Sequence, residues 1–326
     1  MPTQVENGKA FEYAIAITYF EVLKSKGVYV RLIEDKPFLN AKRCFALQNE
    51  KEQNRFLNAA EQTVETLTIL EPGLVSSKKE NDVLVINIAP DVNGEMGDVR
   101  DVLFARNYSS PKWEIGFSAK NNHEAVKHSR LSPNIDFGFK WIGVPCSKQY
   151  FDDIHPVFES IREKIESNPN SKWSEIPDKE DSIYYPVLYA FKEEIFRMEE
   201  STENFAKKLL GYLIGQYPFY KIIKEDRNNT VVVKAFNLGN LLNKTVNGVK
   251  PSVKVEGIKY PTRIIELDFV KGSKTTLMMI LDEGWQISFR IHNASTKLEC
   301  SLKFDILLIG NPPILFSQHL FNITPQ

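Results

Sequence analysis

The segment WEIGFSAKNNHEAVKHSR, residues 113–130, brings together side chains that could do chemistry. Read as a strand, its first half places Glu114, Gly116, Ser118 and Lys120 on one face. The strand ends in a lysine, with a serine two positions earlier and no carboxylate there. Upstream lies DVRD, which carries Asp98 and Asp101. An acid on one strand, a turn, and a second strand ending in lysine suit metal-dependent phosphodiester hydrolysis. That reaction needs a divalent ion to activate water and offset charge on the phosphate. It also needs a fixed cation to hold the nucleophile or the phosphate.

Spacing sorts the acids. Glu114 lies six residues from Lys120, roughly 20 Å along a strand at about 3.3 Å per residue, so it is read as structural. Ser118 is only about 7 Å away by the same rise, but a neutral hydroxyl replaces a carboxylate poorly. The missing charge is expected from Glu124, one turn into a following helix, or from Glu12 on the first helix. Asp98 and Asp101 are three apart, so an ideal strand points them to opposite sides. Asp101 is favoured because Val102, Leu103 and Phe104 set it at the entrance of a buried strand. Asp98 then reads as a turn cap or a partner for Arg100, and Lys120 has the plain alternative of an ordinary strand-end lysine.

The elements that must position these residues follow from periodicity. Residues 8–25 form an amphipathic pattern with Phe11, Ala14, Ile15 and Leu23 in its stripe, and 39–69 are again helical. VLVINIA (83–89), DVRDVLFA (98–105) and WEIGFSAK (113–120) read as strands, separated by the turn-rich PDVNGEMG and YSSPK. Residues 121–131 are predicted as a short helix and KWIGVPCS (140–147) as a fourth strand. Residues 151–208 are helical and acidic. Beyond 228 come TVVVKAF, TRIIELDFV, TTLMMILD, GWQISFRIH and SLKFDILLIG, with a hairpin signal at DEGW (282–285). The fold class is mixed α/β: a central mixed sheet flanked by helices, with a β-rich C-terminal part. The expected division is 1–208, a nuclease core with inserted helices, and 209–326, a recognition part.

On the predicted helix, His123, Lys127 and Arg130 fall at i, i+4 and i+7. They form either a solvated basic face or a contact to a DNA backbone. Asn121 or Asn122 as N-cap would aim the helix N-terminus at a phosphate.

Composition narrows the class. The 326 residues are 42% hydrophobic and 25% charged, with a net charge of −1. Any polyanion must therefore meet a local patch. Cys44, Cys146 and Cys300 are far apart, which argues against a zinc ribbon or disulfide framework and for a reducing cytoplasm. The first residues lack a signal-peptide core, and no run approaches the roughly 18 apolar residues of a membrane span.

The element order and the Asp…Ser-x-Lys pattern resemble the PD-(D/E)XK nuclease superfamily. GDVRDVLF, EIGFSAKNNHEAVKHSRLS, DFGFKWIGVPCSKQYF and GWQISFRIHNAS…LKFDILLIG are similar to the HaeIII-type restriction endonucleases over most of the chain. The resemblance implies a Mg2+-dependent type II enzyme that cuts duplex DNA within GGCC to leave blunt ends. It also implies a protecting methyltransferase as functional partner. It assigns Asp101, or else Asp98, as the motif aspartate and Lys120 as the lysine. Glu124 would replace the acid missing at Ser118, the Ala119 carbonyl would lend a metal oxygen, and Glu12 would be the first-helix glutamate. Two other readings stay open: a structure-specific repair or junction nuclease, and a DNA-binding protein with a degraded site.

A site made of G·C pairs presents guanine O6 and N7 in the major groove, best met by Arg or Lys. Arg290 just beyond the hairpin, flanked by His292 and Asn293, is the expected reader. The plain alternative pairs Arg290 with Glu299. A palindromic site suggests a twofold homodimer.

Overall fold

The computed structural model describes residues 2–76, 82–92, 97–106, 113–122 and 125–321, with the backbone alone at 125–128. Its contacts divide the chain into two units. The first holds residues 1–124, 215–259 and 314–326; the second holds 125–214 and 260–313. The expected cut at 208/209 is therefore replaced by an interleaved division. Residues 125–214 and 260–313 are two excursions from the first unit.

The first unit opens with α1 (Gln4–Ser25), started by a capping box in which Thr3 and Glu6 satisfy each other's backbone N–H groups. β1 (Val30–Leu32), α2 (Lys36–Ala46) and α3 (Glu50–Leu70) follow, the two helices capped by Asp35 and Asn49. Next come β2 (Leu84–Ile88), β3 (Val102–Arg106) and β4 (Trp113–Asn121), all antiparallel neighbours. The later strands of this unit are β6 (Phe219–Glu225), β7 (Thr230–Phe236) and β12 (Phe316–Phe321). The sheet order is β1-β2-β3-β4-β6-β7-β12, with β1–β2 and β4–β6 parallel.

Alternation along β3 and β4 turns Val102, Phe104, Ile115, Phe117 and Ala119 to the helices, where all are buried. Phe104 and Phe117 meet at 4.5 Å between ring centroids, and Tyr19 of α1 sets an edge against each. Each such ring contributes roughly 2–3 kcal/mol by burial. The Tyr19 hydroxyl is matched by Thr63 at 3.0 Å. Behind α3, the buried Glu71 accepts from Tyr220 Oη (2.7 Å) and from the Asn243 N–H (2.6 Å). Burial raises its pKa to about 7, against the pull of those hydrogen bonds.

The second unit begins with β5 (Ala125–Leu131), followed by α4 (Phe137–Ile142), α5 (Lys148–Ser167), α6 (Tyr185–Ser201) and α7 (Phe205–Ile214). β8 (Ile264–Phe269), β9 (Thr276–Leu281), β10 (Gln286–His292) and β11 (Leu302–Gly310) complete an antiparallel sheet in the order β5-β11-β10-β9-β8. The DEGW hairpin joins β9 to β10 as expected; Glu283 (φ 58°) and Gly284 (φ 88°) take the left-handed conformation that this tight connection requires.

Two predicted elements are corrected. In place of the helix expected over 121–131, the described residues there are the end of β4 at Asn121 and β5, whose Leu131 pairs with Leu302 of β11. KWIGVPCS is not a strand. Asp136 caps Phe139 and Gly143 (φ 72°) closes α4, so its apolar residues belong to a short helix and the loop after it. The parallel neighbour of β4 is instead β6, which follows the 125–214 excursion.

Candidate active site

Asp101 stands one residue before β3 and is pinned through its backbone. Its N–H donates to the Phe117 carbonyl (2.8 Å) and its carbonyl accepts from the Ala89 N–H (2.9 Å). That placement aims its carboxylate at the end of β4. One oxygen, Oδ2, accepts from the Ala119 N–H (2.7 Å), Lys120 Nζ (3.1 Å) and Ser118 Oγ (3.3 Å). The pair is partly open to water, with Lys120 29% and Asp101 22% exposed. The antiparallel β3–β4 register thus brings the sequence-predicted acid and lysine to one rim of the sheet.

Glu12 reaches the same neighbourhood from α1. It is buried, and its pKa is raised to about 8, first by burial and then by the charge of Asp101; Lys9 and Lys120 pull the other way. Lys9 Nζ donates to Glu12 Oε2 (2.9 Å) and meets Asp91 Oδ1 at 2.5 Å. Burial opposes the charge on Lys9, but these two carboxylates outweigh it and raise its pKa. Lys9 was not singled out from sequence, although its place three residues before Glu12 on one helix face was a readable signal.

Burial and the neighbouring Asp101 charge oppose ionisation of Glu12, and a bound divalent cation would relieve both. The donor set is also hard oxygen, which suits Mg2+. The residues therefore fit such an ion. Among the described residues no three His, Cys, Asp or Glu side chains converge. Glu12 and Asp101 are the two acids here, and Ser118 is a hydroxyl buried against Asp101. Glu124, expected to supply the third acid, lies outside the described residues, as does His123.

Asp98 belongs elsewhere. Its two oxygens are taken by Arg100, through Nε (2.8 Å), Nη2 (2.7 Å) and the backbone N–H (3.1 Å). Arg100 also reaches Glu114 (3.1 Å) and lies over the Tyr217 ring. Asp98 and Glu114 thus form an ion-pair cluster around Arg100. Gly116 is needed there, because a Cβ would sit 2.3 Å from the Arg100 chain.

The model of the HaeIII restriction endonuclease family matches residues 8–312. The type II restriction enzyme HaeIII of Haemophilus aegyptius is 39% identical over 308 residues, covering 94% of each chain. The chain belongs to the HaeIII restriction endonuclease family. It is accordingly a type II restriction endonuclease, a site-specific deoxyribonuclease. No solved structure matches it.

The remaining residues expected to serve a HaeIII-family enzyme lie in the second unit. Lys127 and Arg130 sit on strand β5 and not on one face of a helix as expected. Arg130 instead reaches Glu299 (3.3 Å) and Ser301 (3.1 Å). That occupies the acid proposed for Arg290. Arg290 is exposed on β10, in register between Asp305 and Thr276. His292 Nε2 lies 2.8 Å from Asp305, and its Nδ1 lies 2.9 Å from the Asn293 carbonyl. Asn293 accepts from Tyr184 Oη and donates to the Ser295 carbonyl, so it locks a turn.

Proposed function

We propose that this enzyme hydrolyses both strands of duplex DNA within GGCC, leaving blunt ends, with Mg2+ as its cation. The observation that carries the catalytic part is the Asp101–Lys120 contact at 3.1 Å beside buried Glu12. Asp101, Glu12 and the Ala119 carbonyl would hold the ion, with Glu124 as a further acid. When bound, a divalent ion polarises the phosphoryl group and supplies hydroxide near neutral pH. Lys120 holds its ammonium where the attacking water or a non-bridging phosphate oxygen would lie, and offsets the negative charge that develops there. Asp101 fixes that ammonium through Oδ2. The Ala119 N–H and Ser118 hydroxyl on the same oxygen hold the carboxylate in place.

Base reading falls to the second unit. Arg290 is an exposed guanidinium on the central strand of the five-stranded sheet, the type of group that matches guanine in a major groove. His292 and Asn293 support the turn beside it. Lys127, His123 and Arg130 are assigned to the DNA backbone. A palindromic site favours a twofold homodimer, and the protecting methyltransferase need not touch it. No described helix is long and apolar enough to cross a membrane.

Incubating phage DNA with the protein and Mg2+ tests this reading. Discrete blunt-ended fragments that terminate within GGCC are expected. Cleavage of branched substrates alone would make it a junction nuclease, and intact DNA with a mobility shift would make it a binding protein.

A further inference from the structure

The parallel pair β4–β6 ends in a cluster of polar groups outside the Asp101–Lys120–Glu12 site. Asn121 stands opposite Lys224 in register. The Lys224 side chain is wholly buried, with its ammonium 4.9 Å over the Phe56 ring. It donates to Asn121 Oδ1 (3.2 Å), pairs with Asp226 and lies 3.9 Å from Glu52 of α3. Asp226 also pairs with Arg55 of α3 at 2.5 Å. Asn122 closes the circuit in a left-handed conformation (φ 53°). Its N–H donates to the Lys224 carbonyl (2.8 Å), its Oδ1 accepts from the Asp226 N–H (2.7 Å), and its Nδ2 donates to the Asp226 carboxylate.

A buried ammonium costs several kcal/mol that its partners must offset, and an apolar side chain would close a strand end without that cost. Burial lowers the pKa of Lys224. What the cluster adds is a fixed position. It ties the last residue of β4, and the one after it, to β6 and to the first turns of α3. Lys120 is the residue immediately before this anchor.

We propose that Asn122, Lys224 and Asp226 are positioning residues that fix the end of β4 and so set the Lys120 ammonium against Asp101. Strand ends held by few contacts fray readily, and displacements near 1 Å in a catalytic group are costly to rate. The anchor should therefore act on the cleavage step and leave DNA affinity alone. This inference rests on the reading of Asp101 and Lys120 as catalytic.

The test uses the full-length protein and a duplex oligonucleotide carrying GGCC. Asn122→Gly keeps the left-handed backbone and removes only the side-chain clamp. Single-turnover cleavage in Mg2+ should fall at least tenfold, while the dissociation constant in Ca2+ stays within about twofold and the folded protein persists. Should Asn122→Gly fail to fold, the isosteric Asp226→Asn carries the test on the same thresholds. A folded variant that cleaves within twofold of wild type overturns the proposal. So does parallel loss of binding and cleavage, which marks a merely structural role. Lys120→Ala runs alongside: normal cleavage by that variant would instead bring down the reading of the site itself.

Discussion

The two sheets handle charge in opposite ways. Around the seven-stranded sheet, Glu12, Glu71, Arg106, Lys221 and Lys224 are all buried. Arg106 has no exposed surface and donates to the carbonyls of Gly73, Leu74 and Asp82. In the second unit the only charged residue so buried, among the described residues, is Glu194, which caps α5 through Ser147 and pairs with Arg197. Its five-stranded sheet alternates instead. Ile287, Phe289 and Ile291 face inward at 0% exposure, and Gln286 and Arg290 face water. Burying charge costs stability unless every group is partnered. The first unit accepts that cost and gains fixed charges suited to chemistry. The second keeps most of its charges at the surface, as the base-reading role proposed for it requires.

The largest expected effect tests the first half of this contrast. Lys120→Ala and Asp101→Ala should each cut cleavage about a hundredfold or more, with DNA binding in Ca2+ retained. A rate above a tenth of wild type, a barrier change under about 1.4 kcal/mol, would remove Lys120 from the chemistry.

Next comes Glu71, which tests whether buried charge in the first unit costs stability. Its pKa is about 7 in the fold against 4.5 for the free side chain, so the folded state binds its proton more tightly than the unfolded chain. Its stabilising share is full below about pH 4.5, declines as pH rises towards 7, and is gone above. The unfolding free energy of wild type relative to Glu71→Gln, read from denaturation curves, should drop across that window by on the order of 3 kcal/mol. Parallel free-energy curves against pH for the two proteins would refute this.

Arg290→Ala probes the exposed sheet. It should lose roughly 1–3 kcal/mol of discrimination between a GGCC duplex and a scrambled one at fixed salt. Non-specific affinity should hardly move, because phosphates supply that term. Equal weakening on both duplexes would make Arg290 a backbone contact. The smallest effect is expected for Arg130 and Glu299, a partly exposed pair. A double-mutant cycle on stability should give a coupling below about 1 kcal/mol. A larger value would mean that this sheet also relies on its charges.

Much of the site was legible because it depends on local order. Asp101 and Lys120 flank one antiparallel connection, and strand alternation alone brings them together. Glu12 was legible only as a conditional reading, since nothing in a helical stripe says which sheet it will cross. The sequence failed where long-range pairing decides. Residues 125–131 carry helix-forming Ala, Lys and Arg, yet β11, far along the chain, draws them into a sheet. FYKIIKE forms β6 although Lys221 and Lys224 interrupt its apolar run, and both lysines prove buried. KWIGVPCS shows the reverse error, a short apolar run whose period cannot separate helix from strand.

The two excursions have a consequence for how the enzyme is made. The ribosome releases Asp101 and Lys120 early, but the strand that flanks β4 on its far side, β6, follows only after residues 125–214. The edge strand β12 follows later still. A chain abandoned at residue 214 would carry Asp101 and Lys120, the side chains proposed for catalysis, without the strand that pairs with β4 beside Lys120. Prematurely terminated copies of this endonuclease should therefore be harmless to the chromosome of the cell that makes them.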